Sequence, residues 1–356
     1  MRQQSGKPPV AMVTGATGML GSATVTALST RGVRTVLVVR NEAKGRALVD
    51  RLNRPGNGAH RLVVGDLSEP DSVRDIAGQI RSTTDDLAVL VHSAAALVHQ
   101  RRVNSAGLEA MFAANVLSRF LLTHELQPLL ASGDAGRVIN VTGPSPDRLN
   151  FDDLMAETTF DAFKQFRATN AANLQMAFEL ARRTHRTGVT SNAFTPGALQ
   201  SDLMAEMPAV VRLITLPVGR TADRAAAALA DLAIADRYAT TTGEFYKRAK
   251  PARPPRASLD TESQQRLWNA CAQLVGVAPT TDPGHARKWG AADRASIYFG
   301  LTTCARPTHS WRAGSSNLGA IPINSRGLPQ RVDWAGEEEG SQADCVIEAV
   351  TEYGGP

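Results

Sequence analysis

Short, continuously apolar runs alternate with amphipathic helical segments over most of this chain. The runs read VAMVTG, TVLVVR, HRLVVGD, LAVLVHSA, RVINVTG and GVTSNAFTPG. Strands that are apolar on both faces are typical of a parallel sheet with helices packed on each side. The repeated strand, helix, strand units therefore predict an α/β fold built on one doubly wound parallel sheet.

A glycine-rich turn, VTGATGMLGSATVTAL, joins the first predicted strand to the first predicted helix. The first glycine allows a tight turn, the second lets the backbone approach a pyrophosphate, and the third lets the helix pack closely on the sheet. Free N–H groups at the start of that helix favour phosphate. The turn therefore predicts a Rossmann-type dinucleotide site. Its predicted cofactor-binding positions are Gly15, Thr17, Gly18, Met19, Leu20 and Gly21.

The ends of the second and third strands predict which dinucleotide is bound. An acidic residue after the second strand would hold the ribose 2′-hydroxyl of NAD, but the sequence has Arg40 and Asn41 there. A guanidinium suits a 2′-phosphate instead, which favours NADP(H). Asp66, with Leu67 beside it, follows the third strand and is expected to accept a hydrogen bond from adenine. Ser68 is expected to cap the next helix.

Composition excludes several classes of protein. The net charge is +5, but the arginines are dispersed and no basic run is interleaved with aromatic residues, so we expect no nucleic-acid partner. No apolar run is long enough for a membrane span, and no cleavable leader is recognisable, so we expect a cytoplasmic protein. Three scattered cysteines without a CxxC pair predict neither disulfides nor a metal site.

The alternating pattern also predicts the domain organisation. Residues 1–9 are expected to be a flexible N-terminus and residues 10–277 the NADP(H)-binding domain. Residues 278–356 contain scattered Gly, Pro and Ser with no sustained period, which predicts an irregular, disordered tail.

From about Val10 to Val277 the chain resembles the short-chain dehydrogenase/reductase family, in particular its retinol dehydrogenase-like branch. The resemblance is collinear and rests on VVRNEAKG, GDLS, MFAANVLSRFLLTHELQPLL, GRVINVTG, NLQMAFELARR, GVTSNAFTPGALQSDL and GEFYKRAKPARPPRASLDTESQQRLWNACAQLVGV. It implies a homodimer or homotetramer and hydride transfer between a nicotinamide and a carbonyl or alcohol. It also adds six predicted cofactor-binding positions, Ser93, Ala94, Ala95, Asn115, Pro196 and Gly197.

The same resemblance exposes a missing set of proton-transfer residues. The family's Tyr is the acid/base, a Lys one helical turn later lowers its pKa, and a Ser polarises the carbonyl. These positions fall on Phe166, Asn170 and Gly143, and only the family's Asn is retained, as Asn115. A phenyl ring carries no proton and an amide carries no charge. The loss of general acid catalysis alone costs on the order of 10²–10⁴ in rate.

Three functional hypotheses remain open at this point. The first is an enzyme with altered chemistry, either a reductase or a non-redox cyclase, dehydratase or isomerase acting on an unknown small-molecule substrate. His99 is its candidate acid/base, and Thr142 and Ser145 are candidate donors to a bound oxygen. The second is a catalytically silent protein that binds or senses NADP(H). The third is an ordinary dehydrogenase completed by residues of the tail.

Overall fold

The structure is a computed structural model and describes residues 8–53, 60–132, 136–197 and 222–278. Its strands are β1 Val10–Thr14, β2 Arg34–Val39, β3 Arg61–Val64, β4 Val89–His92, β5 Arg137–Val141, β6 Thr190–Thr195, β7 Phe245–Lys247 and β8 Lys250–Pro251. They form one sheet in the order β3-β2-β1-β4-β5-β6-β7-β8. All neighbours are parallel except β7 and β8, which pair antiparallel.

Helices connect the strands and cover both faces of the sheet. The described helices are α1 Met19–Ser29, α2 Glu42–Leu52, α3 Pro70–Thr83, α4 Ala110–Phe112, α5 Ser118–Ala131, α6 Ala162–Arg183, α7 Ala222–Ile234 and α8 Thr261–Leu274. One π-helical turn, Ala113–Leu117, joins α4 to α5. Short 3₁₀ turns lie at Asp236–Tyr238 and Arg256–Leu259.

Two apolar cores lie on opposite faces of the sheet. On one face α1, α2 and α7 bury residues such as Leu28 and Leu229. On the other face α3, α5, α6 and α8 pack around Ile76, Phe120 and Trp268. Because both faces are covered, β1 and β4 are apolar almost throughout, and the polar residues of β6 are buried as well. The predicted α/β fold with a doubly wound parallel sheet is confirmed.

The element predictions hold from the first strand to β6, and the later elements were missed. All six predicted strands are present, with helices between them. The pattern did not mark β7, β8, α7 or α8, nor the π turn between α4 and α5. Of the predicted flexible N-terminus and tail, the structure describes only residues 8, 9 and 278.

The parallel strands bring their carboxyl ends to one edge of the sheet. Thr14 of β1 is in register with His92 of β4, and Val141 of β5 is in register with Phe194 of β6. Ligands of doubly wound sheets bind at this edge. The predicted site residues follow these strand ends, so the fold gathers them along one edge.

Candidate functional site

The glycine turn is packed so tightly that two of its glycines have no room for a side chain. Gly15 has φ +65, and a β-carbon there would lie 2.7 Å from the Cα atom of Ala94. A β-carbon on Gly21 would lie 2.2 Å from the carbonyl oxygen of Gly15. Gly18 is less constrained, because its β-carbon would meet that same oxygen at 3.3 Å. The turn therefore lies flat against both α1 and the loop after β4.

The N-terminus of α1 is open to an anion. Gly18 occupies the N-cap position, no side chain caps the helix, and its first turn contains no acidic residue. Gly18 and Met19 are exposed, Thr17 is half-buried and Leu20 is buried in the core. Uncapped N–H groups at a helix N-terminus attract phosphate through hydrogen bonding and the helix dipole.

Arg40 and Asn41 lie at the end of β2, where α2 begins. Arg40 is exposed, and none of the residues placed by the structure forms an ion pair or hydrogen bond with its guanidinium. The Asn41 side chain caps α2, since its Oδ1 accepts a hydrogen bond from the Lys44 N–H at 2.9 Å. The amide N–H₂ of Asn41 is therefore the part left for a ligand. Arg46 is held by Glu42 on the same helix.

Asp66 and its neighbours form a compact turn after β3. Asp66 Oδ1 accepts hydrogen bonds from the backbone N–H of Ser68 at 2.8 Å and from its hydroxyl at 2.7 Å. The prediction that Ser68 caps the next helix is wrong, because α3 begins at Pro70 with Glu69 at the N-cap position. The Ser68 hydroxyl instead orients the Asp66 carboxylate. Leu67 packs against the apolar core beside α3.

The loop after β4 is fixed to β1 and β5 by two side chains. The Thr14 hydroxyl oxygen accepts from the N–H groups of Ser93 and Ala94 at 3.1 and 3.2 Å. The buried Arg119 of α5 donates to the carbonyl oxygens of Ala94 at 2.7 Å and Val141 at 2.8 Å. Its guanidinium thus joins the ends of β4 and β5. Sequence reasoning missed Arg119, and its one signal was a cation within the apolar run LSRFLL.

Burial, with a smaller contribution from the neighbouring Arg119, keeps His92 uncharged. Burial lowers the pKa of Arg119 to about 9, which leaves it charged at neutral pH. Burial and then the Arg119 charge hold the pKa of His92 well below its usual value. His92 is therefore a neutral core residue, with Nε2 at 2.9 Å from the Thr123 hydroxyl.

Asn115 lies in the π turn, and its side-chain amide forms hydrogen bonds with other groups of the protein. It is 1% exposed, and its Oδ1 accepts from the N–H of Ala96 at 2.7 Å. Its Nδ2 donates to the carbonyl oxygen of Ala96 at 2.9 Å and to the Thr169 hydroxyl at 3.2 Å. The side chain therefore ties the loop after β4 to α6. A π turn is a frequent feature of functional sites.

The Asn170 amide occupies the end of β5. Its Oδ1 accepts hydrogen bonds from the Gly143 N–H at 2.9 Å and from the Thr142 hydroxyl at 3.1 Å. A β-carbon on Gly143 would lie 3.3 Å from Asn170 Cγ and Nδ2. Phe166 stands half-buried one turn earlier on α6. The three positions that the resemblance assigns to Ser, Tyr and Lys are thus together in space, without a titratable group among them.

The substitute donors predicted from sequence are placed less favourably. The Thr142 hydroxyl is engaged with Asn170, and Ser145 is 4% exposed with Oγ at 3.4 Å from the Asp147 N–H. His99 is exposed in the loop after β4, at the carboxyl edge. Its part in the chemistry stays a prediction. Within the described ranges no three His, Cys, Asp or Glu side chains gather into a candidate metal site.

Pro196 and Gly197 follow β6 and meet an arginine that sequence reasoning missed. Gly197 has φ +80, and a β-carbon there would lie 3.2 Å from Nε and Nη2 of Arg248. Arg248 lies in the turn between β7 and β8. The only sequence signal was the basic stretch KRAK, which had no predicted element to place it.

Comparisons with known proteins agree with this geometry. The family model described as short chain dehydrogenase matches residues 9–210. Human retinol dehydrogenase 12 is 27% identical over 273 residues, which cover 75% of this chain and 86% of that protein. A solved structure of an uncharacterized Mycobacterium paratuberculosis protein superposes with TM-score 0.63 at 24% identity, covering 77% of this chain and 97% of that one. A Brucella melitensis 3-ketoacyl-(acyl-carrier-protein) reductase in complex with NADH superposes with TM-score 0.54 at 20% identity, covering 68% of this chain and 98% of that one.

In the part of the chain placed by the structure, no helix combines the length and apolarity that crossing a membrane requires.

Proposed function

Since the chain belongs to the short-chain dehydrogenase family, we propose that it binds NADP(H) and acts on a small carbonyl, alcohol or related metabolite by atypical chemistry. One contrast carries this proposal. In the glycine turn, a β-carbon on Gly15 or Gly21 would collide with backbone atoms, so both positions require glycine. In contrast, Asn170 occupies the place of the family's proton-transfer residues. We also expect a cytoplasmic homodimer or homotetramer, as the resemblance implies.

The residues at the carboxyl edge fit a dinucleotide. The open N-terminus of α1 suits the pyrophosphate, and the unpaired guanidinium of Arg40 suits a 2′-phosphate. Asp66, oriented by Ser68, suits the adenine amino group. Pro196 and Gly197 lie where the resemblance places the nicotinamide amide. When bound, the nicotinamide supplies a hydride donor or acceptor.

The chain's own residues then limit the chemistry. Asn170 and Phe166 neither lose nor gain a proton near neutral pH. Thr142 offers a hydroxyl that can polarise an oxygen only by leaving Asn170. Of the residues that the structure describes, His99 is the candidate proton source, and water or the substrate itself are the alternatives. These sources suit substrate-assisted reduction, or a cyclase, dehydratase or isomerase reaction in which the cofactor is a scaffold.

A second candidate function is favoured by the saturated side chains. Asn115 and Asn170 use their polar atoms to hold strand ends and helices together, as structural amides do. A protein that binds NADP(H) as a regulatory signal, without turnover, would tolerate this arrangement. The retained cofactor turn is common to both candidates, so cofactor binding is tested first.

The cofactor assignment is tested by titrating NADPH and NADH into the purified protein and following ligand fluorescence. We expect NADPH to bind at least about tenfold tighter, a difference of about 1.4 kcal/mol. Arg40→Ala should abolish that difference. Arg51→Ala, an exposed arginine in the last turn of α2, is the matched control and should keep it. Equal affinities in the wild type would refute the NADP(H) assignment.

The catalytic assignment is tested by restoring the family's residues. A variant combining Gly143→Ser, Phe166→Tyr and Asn170→Lys should gain NADPH-dependent reduction of 4-nitrobenzaldehyde, measured by loss of absorbance at the NADPH band. Wild-type turnover equal to that of the triple variant would contradict a disabled proton-transfer set. His99→Ala tests one proton source, since it should lower the wild-type activity if His99 is the acid and leave it unchanged if water or the substrate supplies the proton.

A further inference from the structure

The geometry of the β7–β8 turn points to an anion-recognition role for Arg248, and we propose that the substrate carries a carboxylate or phosphate group that this guanidinium binds. The substrate class is then an anionic carbonyl or alcohol compound. The proposal rests on the proposed function, because it assigns part of the substrate to the same edge of the sheet. Its evidence is independent of the cofactor turn.

Arg248 occupies a backbone conformation that arginine disfavours. Lys247 and Lys250 pair across the antiparallel β7 and β8, which leaves Arg248 and Ala249 as a two-residue turn. Arg248 has φ +58, in the left-handed region that glycine adopts most easily. Its N–H donates to the carbonyl oxygen of Thr195 at 2.9 Å, which anchors the turn to β6. A strained non-glycine residue beside a binding edge is a reason to look for function.

The turn directs the guanidinium over the end of β6. Nε and Nη2 lie 3.2 Å, and Cζ 3.6 Å, from where a Gly197 β-carbon would stand. The side chain therefore reaches from the β7–β8 turn across to the loop that follows β6. Any residue larger than glycine at position 197 would displace it. Because Gly197 has no side chain, the guanidinium of Arg248 can lie directly against its backbone. We call this position the guanidinium seat.

This seat lies beside the position where the substrate is expected. The Thr142 N–H donates to the carbonyl oxygen of Phe194 at 2.9 Å, so Gly143 follows the strand directly next to β6. Adjacent strands are about 4.8 Å apart. Gly143 and Gly197 each lie two residues beyond the ends of these paired strands, and a gap on the order of one strand spacing separates the strand ends. A substrate with an anionic group a few bonds from its reacting carbon would span that gap.

The charge of Arg248 is uncompensated among the residues described. No carboxylate placed by the structure lies within ion-pair distance of its guanidinium, although ten other ion pairs are present in the same ranges. Lys247 and Lys250 are exposed next to it and add to the positive potential. The planar fork of arginine matches carboxylate and phosphate through two parallel hydrogen bonds. A half-buried seat strengthens such a pair relative to one in open solvent.

The test compares 4-carboxybenzaldehyde with 4-nitrobenzaldehyde, an uncharged probe of nearly the same shape, by calorimetric titration into the full chain. The titrations are run with the protein alone and with saturating NADP⁺. We expect the wild type to bind the carboxylated probe at least about tenfold tighter, and inorganic phosphate to displace it. Arg248→Gln should abolish the difference. Arg253→Gln, an exposed arginine a few residues on, is the matched control and should keep it.

Two further readouts separate recognition from a structural role. Arg248→Gly should lose the probe preference while its thermal midpoint stays at or above that of the wild type, because glycine relieves the positive φ. NADP⁺ titration of the wild type and of Arg253→Gln checks the proposed function separately. If neither protein bound NADP⁺, the proposed function would be refuted, while the probe titrations without cofactor would still test Arg248. A preference that survives Arg248→Gln, a wild type without one, or a lowered midpoint in Arg248→Gly would each overturn the proposal.

Discussion

Replacing Gly143 by alanine tests whether the Asn170 amide closes the end of β5. The new β-carbon would lie 3.3 Å from Asn170 Cγ and Nδ2, so the amide must retreat by a few tenths of an ångström. Gly143 has no left-handed φ, and alanine therefore meets no backbone strain there. The loss of stability in Gly143→Ala is therefore expected to come from the Asn170 side chain, which a second substitution, Asn170→Ala, shortens to a methyl group.

The expected energies follow from the two hydrogen bonds that Asn170 accepts. Each is worth about 0.5–1.5 kcal/mol net, so Asn170→Ala should lower the free energy of unfolding by about 1–3 kcal/mol, less about 0.6 kcal/mol of helix propensity gained by alanine. Gly143→Ala in the wild type weakens both bonds and should cost about 1–2 kcal/mol. In the Asn170→Ala background the three atoms nearest to the new β-carbon, Cγ, Nδ2 and Oδ1 of Asn170, are absent. Gly143→Ala should then be neutral or stabilising, by up to about 1 kcal/mol.

Urea unfolding of the wild type, both single variants and the double variant measures this change of sign. The coupling energy between the two positions should be about 1–3 kcal/mol. Additive effects, with a coupling below about 0.3 kcal/mol, would show that Asn170 does not seal Gly143. The proposed loss of proton-transfer chemistry would then need a structural explanation other than an Asn170 amide that closes the end of β5.

The remaining predictions concern the cofactor turn, the pH dependence of stability and a buried thiol. Gly21→Ala places a β-carbon 2.2 Å from the Gly15 carbonyl oxygen and should weaken NADPH binding at least about tenfold by fluorescence titration, because backbone must move. Gly78→Ala, in open space on α3, is its control and should raise the free energy of unfolding by about 0.8–1.0 kcal/mol with unchanged binding. His92 has a pKa lowered in the folded state, so the unfolded chain takes up the proton first as pH falls. The contribution of His92 to the free energy of unfolding is then fully present above its usual pKa of about 6.5 and is lost below it, by up to about 1.4 kcal/mol per pH unit. Unfolding measurements on His92→Asn at a series of pH values should therefore show a smaller fall in the free energy of unfolding as the pH decreases. Burial raises the pKa of the Cys271 thiol, so peptide mapping should find it unlabelled by iodoacetamide until the chain unfolds.

The central sheet could be predicted from sequence because its strands are covered on both faces. Runs such as TVLVVR admit few alternatives to a buried strand. The edge elements lack that signal. β7 is three residues long and its run is interrupted by Lys247, and β8 pairs through Lys250 and Pro251. Their pairing depends on β6, which no local pattern reveals.

The site could be predicted only as far as residue types at strand ends allow. Gly15 and Gly21 followed from spacing, but that Gly21 is more constrained than Gly18 comes from its contact with the Gly15 carbonyl. That Phe166 and Asn170 stand where the resemblance expects the family's Tyr and Lys was visible in the sequence. That Asn170 bonds to a glycine 27 residues earlier was not, because it depends on how α6 packs beside β5.

The bonds from Thr14 to the loop after β4 have a consequence for synthesis of the chain. The Thr14 oxygen accepts hydrogen bonds from N–H groups 79 and 80 residues further along the chain. The glycine turn therefore leaves the ribosome long before the loop after β4, against which it packs. At about 5–20 residues per second the turn waits several seconds for β4. A nascent chain without β4 has no seat for the turn, so the dinucleotide cannot stabilise it. Cofactor concentration is thus expected to affect the survival of finished chains, and not the early steps of their folding.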